Sequence, residues 1–155
     1  MPRSAREIDL DPRTYVGLSF PLRADNNNNF AMTKSSLQQA QHNLRNLLLT
    51  SLRERPMNPT FGSRLKELCF EQIDDELPAK IEGEIQKAVA RWLPYIIIHQ
   101  IDTLTEGGDK SKIVVRIQFT TSLDPEATTT MEVSPTTNRP TQEEIYKYGA
   151  HAGHR

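Results

Sequence analysis

The chain lacks almost everything that would announce a chemistry. It has a single cysteine, Cys69, so no internal disulfide can form. Cys69 falls at an apolar helical position in LKELCFEQ, which predicts a buried thiol rather than a nucleophile. Charge of one sign is missing too: 19 basic residues face 20 acidic ones, a net charge of −1. Such a balance leaves no electrostatic footprint for nucleic acid or a membrane surface. The longest apolar stretch, Leu93 to Ile98, is far too short to span a bilayer. The first residues, MPRSAREIDLDP, hold no apolar signal core, so the expected setting is a cell interior or a particle assembled there. Gly107-Gly108 reads as a hairpin tip, with no Walker or dinucleotide spacing around it. His151 and His154 lack the Cys or nearby carboxylate that would complete a metal set, and they read as a solvated tail. His42 and His99 have no evident Ser or Cys partner. No cofactor is expected.

What is present is a chain of 155 residues, enough for one compact domain with a core. Apolar residues make up 36%, and the mean hydropathy is −0.60. That is polar for a self-sufficient globule and predicts segments that are exposed, extended or covered by a partner. Residues 1–14 read as an arm. YVGLSFPL, residues 15–22, alternates Val16, Leu18 and Phe20 before Pro21, which predicts an edge strand or a docked extended segment. The run Asp25 to Asn29 is a turn by composition.

Three helices follow. Leu37, Ala40, Leu44, Leu47 and Leu48 predict the first, over about Ser35 to Thr50, capped by Thr33 or Ser35. Phe61, Leu65, Leu68 and Cys69 predict a short second helix over about Gly62 to Gln72. Leu77, Ile81, Ile85, Ala88, Val89 and Trp92 predict a third from Leu77 to Trp92, with Pro78 in its first turn and Pro94 as its stop. Trp92 is a core residue or an interface anchor.

The period then becomes two. Ile96 and Ile98 point one way; Tyr95, Ile97, His99 and Ile101 point the other, so both faces are apolar at first. Glu106-Gly107-Gly108-Asp109 signals a hairpin. Ile113, Val115, Ile117 and Phe119 predict a strand with one buried face. Asp124-Pro125 marks a turn, and Thr128 to Val133 a third strand. The expected fold is α+β: three helices in the N-terminal half packed on a small antiparallel meander with an open edge. That edge carries Thr128, Thr129 and Thr130, with little charge to discourage an added strand. The expected divisions are an arm over 1–14, a domain over 15–133 and a polar tail over 134–155, with a short helix from Gln142 to Tyr148.

Two charged passages are candidates for function. Arg53 and Arg55 flank Glu54 in a stretch braced by Pro56 and Pro59. Two fixed φ angles lower the entropy cost of holding one loop shape, and arginine offers a planar fork of donors. Two readings stand open. Arg55 braces the fold, capping the first helix or pairing with Glu71, or the arginines face a partner. Chain reversal itself needs neither arginine. The second passage is the acidic cluster Glu71, Asp74, Asp75 and Glu76. A glycosidase needs two carboxylates set across a cleft, one with a raised pKa. This cluster sits at a polar turn, partly before a helix N-terminus where negative charge is favoured anyway.

The order of these pieces resembles the small baseplate wedge subunit family of contractile phage tails, which is often labelled lysozyme-like. Type VI secretion systems and contractile bacteriocins carry counterparts. The residues that carry the resemblance are Gly17-Leu18-Ser19-Phe20-Pro21, Asn43 through Thr50, and Arg53-Glu54-Arg55-Pro56-Met57. It continues in Pro59-Thr60-Phe61-Gly62-Ser63, Leu68-Cys69-Phe70-Glu71 and Arg91-Trp92-Leu93-Pro94, within about residues 15–133. One departure is clear: the family has Glu-Pro-Arg after the third helix, and here Leu93-Pro94-Tyr95 stands there. The resemblance implies a structural role without catalysis. It implies several copies in a six-fold virion tail baseplate assembled in the host cytoplasm. The implied partners are the larger wedge proteins, whose core bundle it clasps, and the tail sheath protein, which builds on its strands. The expected contact residues are Arg53, Arg55, Pro56, Pro94, Tyr95, Thr128, Thr130 and Glu132, with an apolar contact at Tyr95 in place of an ionic one. The alternatives are a peptidoglycan hydrolase using Glu71 to Glu76 and a generic adaptor in another complex.

Overall fold

Three apolar stripes and one alternating strand decide where the core lies. The computed structural model describes residues 9, 11, 13–22, 24, 29–71, 74–106 and 112–135. A ribbon of two short antiparallel strands comes first, β1 (Gly17–Leu18) and β2 (Met32–Thr33). Helices α1 (Ser36–Leu49), α2 (Leu65–Leu68) and α3 (Leu77–Trp92) follow. The chain then forms a three-stranded antiparallel sheet in the order β3 (Ile96–Glu106), β4 (Lys112–Thr121), β5 (Asp124–Val133). The fold is α+β, as the periodicities predict.

α1 starts where Ser35 turns extended and its Oγ accepts a 3.2 Å bond from Gln38 N. The Asp9 carboxylate accepts from Ser36 N at 2.8 Å and Ser36 Oγ at 2.6 Å. A negative group there suits the positive end of the helix. Ala40, Leu44, Leu47 and Leu48 are buried, and α3 buries Leu77, Ile81, Ile85, Ala88 and Val89 against the same core. Ile113, Val115, Ile117 and Phe119 of β4 complete it, with Met131 and Val133 of β5.

Several expected boundaries move, each for a physical reason. The second helix is four residues long rather than about eleven. It cannot begin at Gly62, whose φ is 120°, and Ser63 N is committed to Thr50 O at 2.9 Å. At its far end Phe70 N and Glu71 N bond three residues back, to Glu67 O and Leu68 O, which tightens the last turn. Along β3 the strict alternation fails at a register shift between Ile98 and Gln100. The irregularity resets the parity, so Ile98 and Ile101 both pack on the core while Ile97 is 45% exposed. β4 is not one-faced: Val114 and Thr120 are buried on the side opposite Phe119. The second turn falls at Ser122-Leu123, with Thr121 opposite Asp124, two residues before the expected Asp124-Pro125. β5 therefore starts earlier than Thr128. Its register with β4 shifts before settling at Phe119 opposite Thr129, and Pro125, which has no N–H to give, sits in the shifted stretch. The expected hairpin tip at Gly107-Gly108, the helix from Gln142 to Tyr148, and His151 and His154 lie outside the described residues. No described helix is long and apolar enough to cross a membrane.

Candidate functional site

The loop between α1 and α2 is built by bonds at both its base and its tip. At the base, Ser63 N donates to Thr50 O at 2.9 Å and Ser63 Oγ to Leu48 O at 3.0 Å. These bonds use the carbonyls that the end of α1 leaves open. Within the loop, Arg53 N donates to Pro59 O at 2.8 Å, Glu54 N to Ser51 O at 3.2 Å, Asn58 N to Arg55 O at 3.1 Å and Phe61 N to Asn58 O at 3.1 Å. The Glu54 carboxylate accepts from Ser51 N at 2.7 Å and lies 3.8 Å from Lys66 Nζ. Gly62 is obligatory: at φ 120° a Cβ would run into the carbonyl oxygens of Thr50 and Ser51.

Arg55 is braced, though not by either expected partner. Its guanidinium lies 3.9 Å from the centre of the Phe61 ring. Phe61 meets Trp92 edge-on at 5.3 Å, and the Arg91 guanidinium lies over Trp92 at 5.1 Å. A cation–ring–ring–cation stack thus ties the loop to the end of α3. Neither the α1 carbonyls nor Glu71 is its partner. Arg53, Arg55, Pro56 and Met57 are all exposed, and Met57 is 97% exposed.

Pro94 is exposed and Tyr95 half-buried, at the junction of α3 and β3. The Tyr95 hydroxyl accepts a 2.9 Å bond from Asn43 Nδ2. Asn43 Oδ1 accepts from Gln39 Nε2 at 2.8 Å, and Gln39 Oε1 from Thr33 Oγ1 at 2.5 Å. This relay links the ribbon, α1 and Tyr95. Gly17 makes room for it, since a Cβ there would meet the Gln39 amide. Only the helical spacing of Gln39 and Asn43 hinted at it in the sequence.

On β5, Thr128 and Thr130 are exposed. Glu132 is engaged within the fold: Arg116 donates to its Oε1 at 2.9 Å (Nε) and 2.7 Å (Nη2), and Arg45 Nη2 donates to its carbonyl at 3.1 Å. β3 is the second outer strand of the sheet, an edge that the composition of β5 had hidden from view.

The acidic residues lie at the surface, where water solvates them. Glu71, Asp74, Asp75 and Glu76 are exposed, with Asp74 and Glu76 at 3.7 Å and 3.6 Å from Lys80 Nζ. Among the described residues no three His, Cys, Asp or Glu side chains gather as metal ligands. Cys69 is buried, and burial pushes its thiol up to about 11, which suppresses the thiolate. His42 and His99 have structural contacts: His42 Nδ1 lies 2.8 Å from Phe20 O, and His99 Nε2 lies 3.1 Å from Thr120 Oγ1.

Comparison with known proteins adds context to these surfaces. Residues 34–126 match the family model described as baseplate wedge protein gp25. That stretch contains the whole Arg/Pro loop and the Pro94-Tyr95 junction. It leaves out the β1–β2 ribbon. A chain in the six-fold symmetrised baseplate of the anti-feeding prophage is similar at 18% identity and TM-score 0.55, over 84% of this chain and 90% of that one. A chain of the postcontracted pyocin R2 baseplate is similar at 17% identity and TM-score 0.53, over 64% and 97%. A Geobacter sulfurreducens protein provisionally labelled a tail lysozyme is similar at 19% identity and TM-score 0.54, over 65% and 92%. At these identities the three share a fold with the chain. No curated protein matches it.

Proposed function

The chain belongs to the baseplate wedge protein gp25 family, and on that premise we propose that it is a non-enzymatic structural subunit of a contractile-tail baseplate wedge. It binds the core bundle of the larger wedge proteins and offers strands on which the first sheath ring builds. It is present in several copies in a six-fold virion baseplate assembled in the host cytoplasm. Its contacts run through Arg53, Arg55 and Pro56 on the loop, Pro94 and Tyr95 beside α3, and Thr128, Thr130 and Glu132 on β5. The observation that carries this reading is the loop inside the family-matched stretch: fixed by main-chain bonds, it turns Arg53, Arg55 and Pro56 to solvent. A surface held in one shape loses little entropy on docking. Co-expression with the wedge and sheath proteins of the parent particle tests it. Stable incorporation into wedges is expected; a soluble chain left outside complete baseplates would sink it.

The tail-lysozyme label on the Geobacter protein favours a second reading, a peptidoglycan hydrolase using the acidic cluster. Turbidity of cell-wall suspensions separates the two. Lysis by the intact chain, lost in a Glu71→Gln, Asp75→Asn variant, would replace the structural reading.

A further inference from the structure

We propose that Met57 is an insertion anchor that enters an apolar socket rimmed by carboxylates on a neighbouring baseplate protein; this rests on the assembly reading above. Exposed apolar side chains are common on protein surfaces, so exposure alone selects nothing. Three further features select Met57. First, its frame is fixed. Main-chain bonds close the loop on both sides of it, from Arg53 N to Pro59 O and from Asn58 N to Arg55 O, and Pro56 precedes it directly. The side chain is therefore presented from one place rather than swept through many, which lowers the entropy lost on docking. Second, Arg53 holds a φ of 68°, a left-handed conformation that glycine or asparagine adopts more readily. A bulky cation at such a position points to a need for the side chain, since the turn itself is better served without it.

Third, the charge around the tip is one-sided. Glu54 lies between the arginines in sequence, but its carboxylate is taken by Ser51 N and stands near Lys66. Arg53 and Arg55 have no carboxylate partner among the described residues, and the Arg55 guanidinium lies over the Phe61 ring, 3.9 Å from its centre. The loop thus presents an exposed apolar side chain, Met57, on the same short segment as two exposed cations, Arg53 and Arg55. Its complement is an apolar pocket with acidic residues on the rim, where the thioether adapts to the pocket and the forks meet carboxylates. A hydrocarbon-lined socket without acidic groups would leave both guanidinium ions against an uncharged wall, and nucleic acid would offer the cations phosphate but the thioether no pocket.

Peroxide footprinting reads the burial of this side chain directly. The free chain and assembled baseplates are exposed to hydrogen peroxide, and sulfoxide at each methionine is followed by mass spectrometry. Among the three described methionines of the free chain, Met57 (97% exposed) is expected to oxidise fastest, Met32 (46% exposed) more slowly, and Met131 (2% exposed) hardly at all. In baseplates Met57 is expected to be protected at least tenfold. A Met57→Asp variant is expected to enter wedges at least tenfold more weakly, and Met57→Leu within about threefold of wild type, with both melting like wild type. Arg53→Glu weakens entry, and raised salt weakens wild type in the same direction. If Met57 oxidises equally fast in free chain and baseplate, or Met57→Asp enters normally, the anchor is overturned while the assembly role stands. If wild type itself never enters baseplates, both are overturned.

Discussion

The loop over residues 51–63 and the outer strand β5 offer partners two kinds of surface. The loop's backbone is closed upon itself, with Arg53, Asn58, Phe61 and Ser63 all giving their N–H groups to other loop or helix-end carbonyls. What remains for a neighbour is side chains: Arg53, Arg55, Pro56 and Met57. β5 is the reverse. Its inner side chains, Met131 and Val133, are spent on the core, and the Glu132 carboxylate is spent on Arg116. What this outer strand has left is its main chain and the exposed side chains of Thr128 and Thr130. A side-chain surface recognises one partner by shape and charge; a main-chain edge accepts any strand that fits the ladder. Two surfaces on one small domain can therefore carry different demands, selective docking at one and repeated addition at the other.

The contrast breaks most sharply if the loop frame is not what fixes the loop. Gly62→Ala forces a Cβ into the Thr50 and Ser51 carbonyls at φ 120°. Left-handed strain and the clash together are expected to cost about 3 kcal/mol or more in chemical denaturation. A loss below about 1 kcal/mol would mean that the loop relaxes freely and its shape is not specified. Next in size is Thr130→Pro in β5, which removes one main-chain donor and disturbs the ladder beside Gln118. The helical core stays intact. The expected product folds, enters baseplates and fails to start a sheath. Thr129→Pro is the control for which of the two N–H groups points outward; normal sheath nucleation by both variants would move the docking edge elsewhere, with β3 the other outer strand.

How much of this was legible in the sequence follows the same division between local and distant causes. α3 was readable to the residue because its stripe, Pro78 and Pro94 are all local signals. α2 was not, because Gly62 and Ser63 answer to Leu48 and Thr50 rather than to their own helix. The period of β3 misled because a register shift near Ile98 leaves no compositional mark. Among the candidate contacts, the rigidity of the Arg/Pro loop was visible in two prolines, Pro56 and Pro59. The Phe61 stack on Arg55 was not, and neither was the relay ending at Tyr95. Asn43 and Tyr95 stand 52 positions apart, and nothing local announces their bond. Met57 read as one more residue of a motif until its surroundings could be seen to leave it uncovered.

A third prediction sharpens the side-chain half of the contrast. Arg55→Ala removes a cation from the Phe61 face and a charged donor from the surface. An exposed cation–ring contact contributes roughly 0.5–1 kcal/mol to folding. A charge-assisted bond to a partner is worth on the order of 1.5–3 kcal/mol. Assembly should therefore suffer more than thermal stability does. A free variant that melts far below wild type would make Arg55 an internal brace and remove it from the interface.

The smallest expected effect bears on the main-chain half. Glu132→Gln removes the charge that Arg116 Nη2 meets at 2.7 Å, while the Glu132 carbonyl, which Arg45 holds at 3.1 Å, is untouched. Both side chains of the pair are partly exposed, so solvent screens their attraction and the change should cost no more than about 1 kcal/mol of stability. If β5 recruits a strand through its backbone, sheath nucleation should proceed at the wild-type rate, because the strand keeps every N–H and C=O. Arg45→Met is the matching variant: it keeps the apolar stem beside the core but withdraws the donor from the Glu132 carbonyl. Comparing the two separates the charge on the strand from the carbonyl of the strand. A nucleation defect in Glu132→Gln with Arg45→Met unaffected would make the carboxylate itself the contact, and β5 would then recognise partners as the loop does, by side chain.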